Sequence, residues 1–137
     1  MTELFEFGMK ILKSQPFSVL IGTELEVFEP GMATLSIPIQ DKLKQQHGFV
    51  HGGVVSYLAD NALTYAGGSV LGDSVTSEYK INYLRPALGE KLIARASVVS
   101  SGKTQAVCQC KVFAVANGEE RVVALAQGTI RKVNAQK

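Results

Sequence analysis

One segment limits the folds open to this chain more than any other. Residues 47–68, "HGFVHGGVVSYLADNALTYAGG", hold a long apolar run with helical spacing. At 100° per residue, Val54, Val55, Leu58, Ala59, Ala62, Tyr65 and Ala66 fall on one stripe, while Ser56, Tyr57, Asp60 and Thr64 fall opposite. The spacing predicts a helix from Val54 to Tyr65, stopped by Gly67-Gly68. A stripe of that width must be buried against another element, and the flanking sequence offers strands.

Before this helix, Leu4, Phe7 and Ile11, with Phe5 and Leu12, have the spacing of a shorter helix. "QPFSVLIG" reads as a short helical turn or an irregular connection. "TELEVFEPGMATLSIPI" alternates on both sides of a Pro-Gly turn, which predicts a hairpin. "QDKLKQQHGFV" has no period and reads as a polar loop. After the helix, four strand-like runs are separated by "RPALGE", "SSGK" and "ANGEE". Asn117-Gly118 between two alternating runs is a strong hairpin signal, because both central residues of a type I′ turn need positive φ. The expected order is helix, hairpin, loop, long helix, then a meander of four strands. That order implies an α+β fold in one domain spanning 1–137, with the long helix across one face of an antiparallel sheet.

Composition narrows the function classes. The chain is 46% hydrophobic and 19% charged, as in ordinary globular domains, and its net charge of +2 comes from interspersed residues of both signs. Nothing resembles the clustered basic face that nucleic acid or an anionic membrane requires. No run approaches the ~18 apolar residues of a membrane span. Glu3 and Glu6 stand where a secretory signal would be positive, so a cytoplasmic location is expected. Cys108 and Cys110, at i and i+2 on a strand, share a face with Ala106 and Val112. With no second Cys or His pair to complete four ligands, they are expected to be buried thiols, with no metal and no cofactor.

The helix start poses the functional question. A first turn leaves N–H groups unbonded, and Ser, Thr, Asp or Asn normally caps them. Here the preceding residues are Val50, His51, Gly52 and Gly53, so amide donors backed by the helix dipole are expected to be free for a ligand, with no Cβ in its way. Asp60 is the single carboxylate on the helix, and its neighbours Ser56, Thr64, Tyr57 and Asn61 carry no charge. That face is expected to be covered.

"HGGVVSYLADNAL", followed by "TSEYKINYLRPALGEKLIARASVVSSGKTQAV", resembles the hotdog-fold acyl-CoA thioesterases of the phenylacetyl-CoA thioesterase type, over about Val19 to Val133. The shared motifs are HGG with an Asp nine positions after its His, the "NYLRPA" strand end and the "GKT" that follows. The resemblance implies an antiparallel sheet wrapped around one long helix, and homodimers joined sheet edge to sheet edge that often pair again. It implies that the Gly52 N–H polarises the thioester carbonyl. Asp60 attacks that carbonyl or activates water, Thr76 helps position the water, and His51 shapes the turn. Gln45 stands where some relatives carry an Asn whose amide assists. Gly53 adjoins the donor, and Arg85 and Lys103 are candidate contacts to the phosphates of the CoA substrate.

Helix geometry adds an independent expectation. Gly52 and Asp60 are eight residues apart, about 12 Å along the axis, whereas a reacting carbon must lie about 3 Å from both groups. A site drawing Gly52 from one subunit and Asp60 from its partner meets that need. Two rivals use the same fold: a dehydratase acting on acyl thioesters, with His51 and Asp60 as its pair, and a noncatalytic acyl-CoA sensor.

Overall fold

The structure, a computed structural model, describes residues 1–134. Its helices are α1 (Glu3–Lys13), α2 (Pro16–Ile21) and α3 (Gly52–Leu71). Its strands are β1 (Glu24–Glu29), β2 (Met32–Pro38), β3 (Ser74–Tyr83), β4 (Lys91–Ser101), β5 (Gln105–Ala116) and β6 (Glu119–Lys132). Local chemistry accounts for the boundaries. Thr2 caps α1 by accepting the Phe5 N–H at 3.0 Å, with Glu3 and Glu6 in the first turn and Lys10 and Lys13 in the last, matching the helix dipole. The "QPFSVLIG" segment is helical: Pro16 opens α2, and Gly22 closes it at φ 83°. Asn117 and Gly118 both take positive φ (53° and 79°), as the hairpin requires.

The strands form one antiparallel sheet in the order β1-β2-β4-β5-β6-β3. It wraps α3, which packs against β2, β3, β4, β5 and β6. This is the α+β hotdog arrangement that the sequence implied. The four C-terminal strands are not a simple meander, however. The chain crosses over after β3, so that β3 pairs with β6, and β2 occupies the edge of β4 that a meander would give to β3. As a result β3 is an edge strand, ten residues long, with no residue fully buried.

The long helix also runs further than its sequence predicts, from Gly52 to Leu71. Gly67 does not end it. A Cβ there would lie 2.7 Å from Ile130, so the missing side chain is what lets α3 touch β6. The stop comes at Gly72, at φ 87°, whose N–H bonds the Gly68 carbonyl at 2.8 Å. The apolar stripe forms the core: Leu58, Ala59, Ala62 and Ala66 are fully buried with Leu35, Leu92 and Val112. Truncating Leu58 to Ala would cost about 2–5 kcal/mol. Cys108 and Cys110 are both buried and reduced, on the inner face of β5. Among the described residues, no helix is long and apolar enough to cross a membrane.

Candidate active site

The polar face of α3 is partly covered, and the covering is the chain itself. On one side Tyr57 reaches α2 and the loop after it, bonding Ser18 Oγ at 2.5 Å and Thr23 Oγ1 at 2.8 Å. On the other side, three contacts lay the helix along β3. Tyr83 Oη donates to the Gly52 carbonyl at 3.1 Å, Ser56 Oγ bonds Tyr79 Oη at 2.6 Å, and Thr76 Oγ1 donates to Asp60 Oδ1 at 2.6 Å.

A backbone irregularity makes the last two contacts compatible. Thr76 and Tyr79 are three residues apart, and an unbroken strand would send them to opposite faces. The register of β3 on β6 slips between Thr76 and Glu78, and this bulge turns both side chains toward α3. Asp60 is half-buried as a result. Thr64 Oγ1 closes the cluster, 2.8 Å from Thr76 Oγ1 and 2.9 Å from the Asp60 carbonyl that accepts its proton. Thr76 holds one carboxylate oxygen, and among the described residues the other has no hydrogen-bond partner.

The helix start is not bare. His51 is its N-cap, and His51 Nδ1 accepts the Gly53 N–H at 2.8 Å. The His51 carbonyl accepts from Val54 at 2.9 Å and Val55 at 3.3 Å. The expectation of several free donors is therefore corrected to one: among the described residues, only the Gly52 N–H of this turn has no hydrogen-bond partner. An imidazole does here what Ser or Asp usually does. The Gly53 N–H is taken up by His51, and its missing side chain leaves room for that cap, since a Cβ would sit 3.0 Å from His51 Nδ1.

The other predicted residues scatter. Gln45 shapes its own loop, its Oε1 accepting the His47 N–H at 2.5 Å and its carbonyl the Gly48 N–H at 3.0 Å. Arg85, exposed, donates to the Val122 carbonyl at 2.8 Å beside the β5–β6 hairpin. Lys103 lies in the β4–β5 turn, next to Thr104, whose carbonyl bonds the Lys132 N–H at 2.8 Å. These are opposite ends of the sheet, about 27 Å apart from the eight residues of β5 between Gln105 and Phe113. One chain cannot set both cations on one phosphate cluster. Tyr83, whose ring lies 3.6 Å from where a Gly52 Cβ would be, was not singled out by sequence, and no periodicity marks it. Among the described residues no group of three or more His, Cys, Asp or Glu gathers to hold a metal.

A single amide at a helix N-terminus, positioned to receive a developing negative charge, and a carboxylate steadied by a threonine are the two parts that thioester hydrolysis needs. The comparisons agree. The model of the thioesterase superfamily matches residues 47–120. A putative esterase of Saccharolobus solfataricus is 33% identical over 122 residues, covering 88% of this chain and 79% of the relative. The acyl-coenzyme A thioesterase PaaI of Escherichia coli is 29% identical, covering 82% of this chain and 79% of that protein. Among solved structures, a thioesterase family protein from Silicibacter pomeroyi superposes with a TM-score of 0.88 at 35% identity, over 92% of this chain and 96% of that one. The chain thus belongs to the thioesterase superfamily and is a thioester hydrolase of the hotdog fold.

Proposed function

We propose that this protein hydrolyses acyl-CoA thioesters at sites shared between two subunits, with the chain acting as one domain in the cytoplasm. The observation that carries this reading is the placement of both chemical groups over a free-edged strand. Gly52 and Asp60 stand about 12 Å apart along α3, and each is tied to opposite ends of β3, through Tyr83 and Thr76. If β3 pairs antiparallel with the partner's β3 about a two-fold axis, the Thr76 end of one chain meets the Tyr83 end of the other. The partner's carboxylate then approaches the open amide. A long exposed edge with Val75 and Tyr83 over half exposed is otherwise a liability for a folded chain, and pairing removes it. Names among the relatives, including an acyl-coenzyme A thioesterase and a medium/long-chain acyl-CoA thioesterase, support the substrate class. A dimer of such dimers fits the same reading.

The reaction follows from the residues. The Gly52 N–H receives the thioester carbonyl oxygen and strengthens its bond as that oxygen becomes an oxyanion. The free oxygen of Asp60 takes a proton from water as the water oxygen bonds the carbonyl carbon. Collapse of the tetrahedral species breaks the C–S bond, and the proton held by Asp60 goes to the departing sulfur. Thr76 keeps the carboxylate aimed throughout, and the buried thiols take no part. Arg85, at the Gly52 end, and Lys103, at the Asp60 end of the partner chain, flank one shared site and steady the anionic CoA. Thiol release from a series of acyl-CoAs tests the reading: turnover with free CoA and free acid supports it, whereas binding without turnover would make the protein a sensor. Conversion that leaves the thioester intact would make it a dehydratase.

A further inference from the structure

A cavity of about 320 Å³ lies between α1 and α3, and sequence assigned it nothing. Its walls are two helical stripes facing each other. Leu4, Phe7 and Ile11 line it from α1, while Asn61, Thr64, Tyr65 and Gly68 line it from α3. The stripes run antiparallel: Asn61 Nδ2 bonds Gln15 Oε1 just beyond Ile11, at 3.2 Å, and the Tyr65 hydroxyl donates to the Gly8 carbonyl at 2.8 Å. The Leu4 end therefore lies beside Gly68 and Gly72. The trough is preformed, since α1 is held close by Tyr65 and by Gly8, where a Cβ would lie 2.5 Å from Phe28.

Thr64 belongs to both this trough and the Asp60–Thr76 cluster. The cavity thus comes within one side chain of the group that holds the carboxylate, and its lining is mixed: Leu4, Phe7, Ile11 and Phe28 are apolar, whereas Gln15, Asp73 and Ser74 add polar groups at its ends. We infer that the trough between α1 and α3 receives the acyl tail of the substrate and selects an unbranched, medium-length chain, with Leu4 and Phe7 setting its far limit. This rests on the thioesterase reading given above. The shape argues for a chain rather than a ring: each stripe spans seven residues, about 10 Å, and the two antiparallel helical rows bound the cavity on two sides. At roughly 30 Å³ per non-hydrogen atom, its volume holds about ten such atoms. Over its whole length, from Ile11 and Asn61 to Leu4 and Gly68, the trough has room for a tail of about eight carbons.

The test uses non-hydrolysable thioethers, so that binding is read apart from turnover. Ethyl-CoA and octyl-CoA are titrated into the wild type, Leu4→Trp, which blocks the far end, and Phe7→Asp, which charges the wall at a residue 59% exposed, where folding is not at issue. At about a twofold gain for each half-buried methylene, octyl-CoA binds the wild type roughly 50-fold more tightly than ethyl-CoA, and dodecyl-CoA gains little more. Each variant lowers that preference at least tenfold. Equal affinity for ethyl and octyl chains in the wild type, or a preference that survives in both variants, overturns the assignment. The acyl-CoA turnover series is scored separately. Chain-length selective binding without turnover leaves the trough standing and removes the hydrolase reading, whereas turnover without chain-length preference does the reverse.

Discussion

Replacing Gly52 by Pro removes one hydrogen from the proposed oxyanion site and almost nothing else. Gly52 is the first residue of α3, a position where proline's fixed φ suits the helix and its missing N–H breaks no helical bond. The residue before a proline is forced toward extended or polyproline backbone, and His51 already has φ −57° and ψ 135°. The nearest atom to a new Cβ, on the Tyr83 ring, lies at 3.6 Å, an ordinary contact. The His51 cap on Gly53 and the Tyr83 bond to the Gly52 carbonyl involve other atoms and persist. Stability should therefore change little, with a gain of about 0.4–1 kcal/mol from the stiffer unfolded chain. Loss of one oxyanion donor costs about 100- to 1,000-fold in kcat, or roughly 2.7–4 kcal/mol of barrier. The control is Gly52→Ala, which adds the same Cβ and keeps the N–H. Thermal melting and thiol-release kinetics on both variants give the answer. If Gly52→Pro, with a normal Tm, turns over within tenfold of Gly52→Ala, the amide is not the donor and the reasoning fails.

Three further outcomes are expected. Thr76→Val removes the hydrogen bond to Asp60 Oδ1 and lowers kcat about tenfold with little change in binding of a thioether analogue, and Thr76→Ser restores it; equal loss in both would assign Thr76 to packing. Burial pushes the Cys108 thiol up to about 11 and the Cys110 thiol up to about 12, so few thiolates exist at pH 8. A disulfide reagent should find no reactive thiol in the native protein and two in denaturant, without loss of activity. Arg85→Ala and Lys103→Ala should raise KM for acyl-CoA more than they lower kcat, and the effect should shrink with a pantetheine thioester lacking the nucleotide. Equal losses on both substrates would end the phosphate-contact assignment.

Much of this was legible in the sequence because it rests on local rules. The apolar stripe of α3, the Asn117-Gly118 turn and the inward Cys108–Cys110 pair each follow from periodicity or positive φ, and the structure bears them out. What escaped depends on contacts between distant segments. Gly67-Gly68 looks like a helix stop until Ile130 of β6 is brought against it. β3 looks like the first strand of a meander until β2 takes the place beside β4. The helix start looks bare because histidine is an uncommon cap, and its role depends on Nδ1 facing back to Gly53. Asp60 stood out as a lone carboxylate on a polar, uncharged face, but the bulge that aims both Thr76 and Tyr79 at α3 leaves no local mark. Arg85 and Lys103 shared only proximity to loops, and distance along β5 separates them.

The central claim is that the amide of one subunit works with the carboxylate of its partner, and complementation between two inactive variants measures it most directly. Gly52→Pro and Asp60→Asn are expressed together with different tags, and the heterodimer is isolated and assayed for thiol release. Each homodimer carries one lesion in every site and should be nearly inactive. If the site is shared, the heterodimer places both lesions in one site and leaves the other intact, so activity returns to about half that of the wild-type dimer. If donor and carboxylate come from the same chain, every site in the heterodimer keeps one lesion. A folded heterodimer as inactive as its parents would contradict the account.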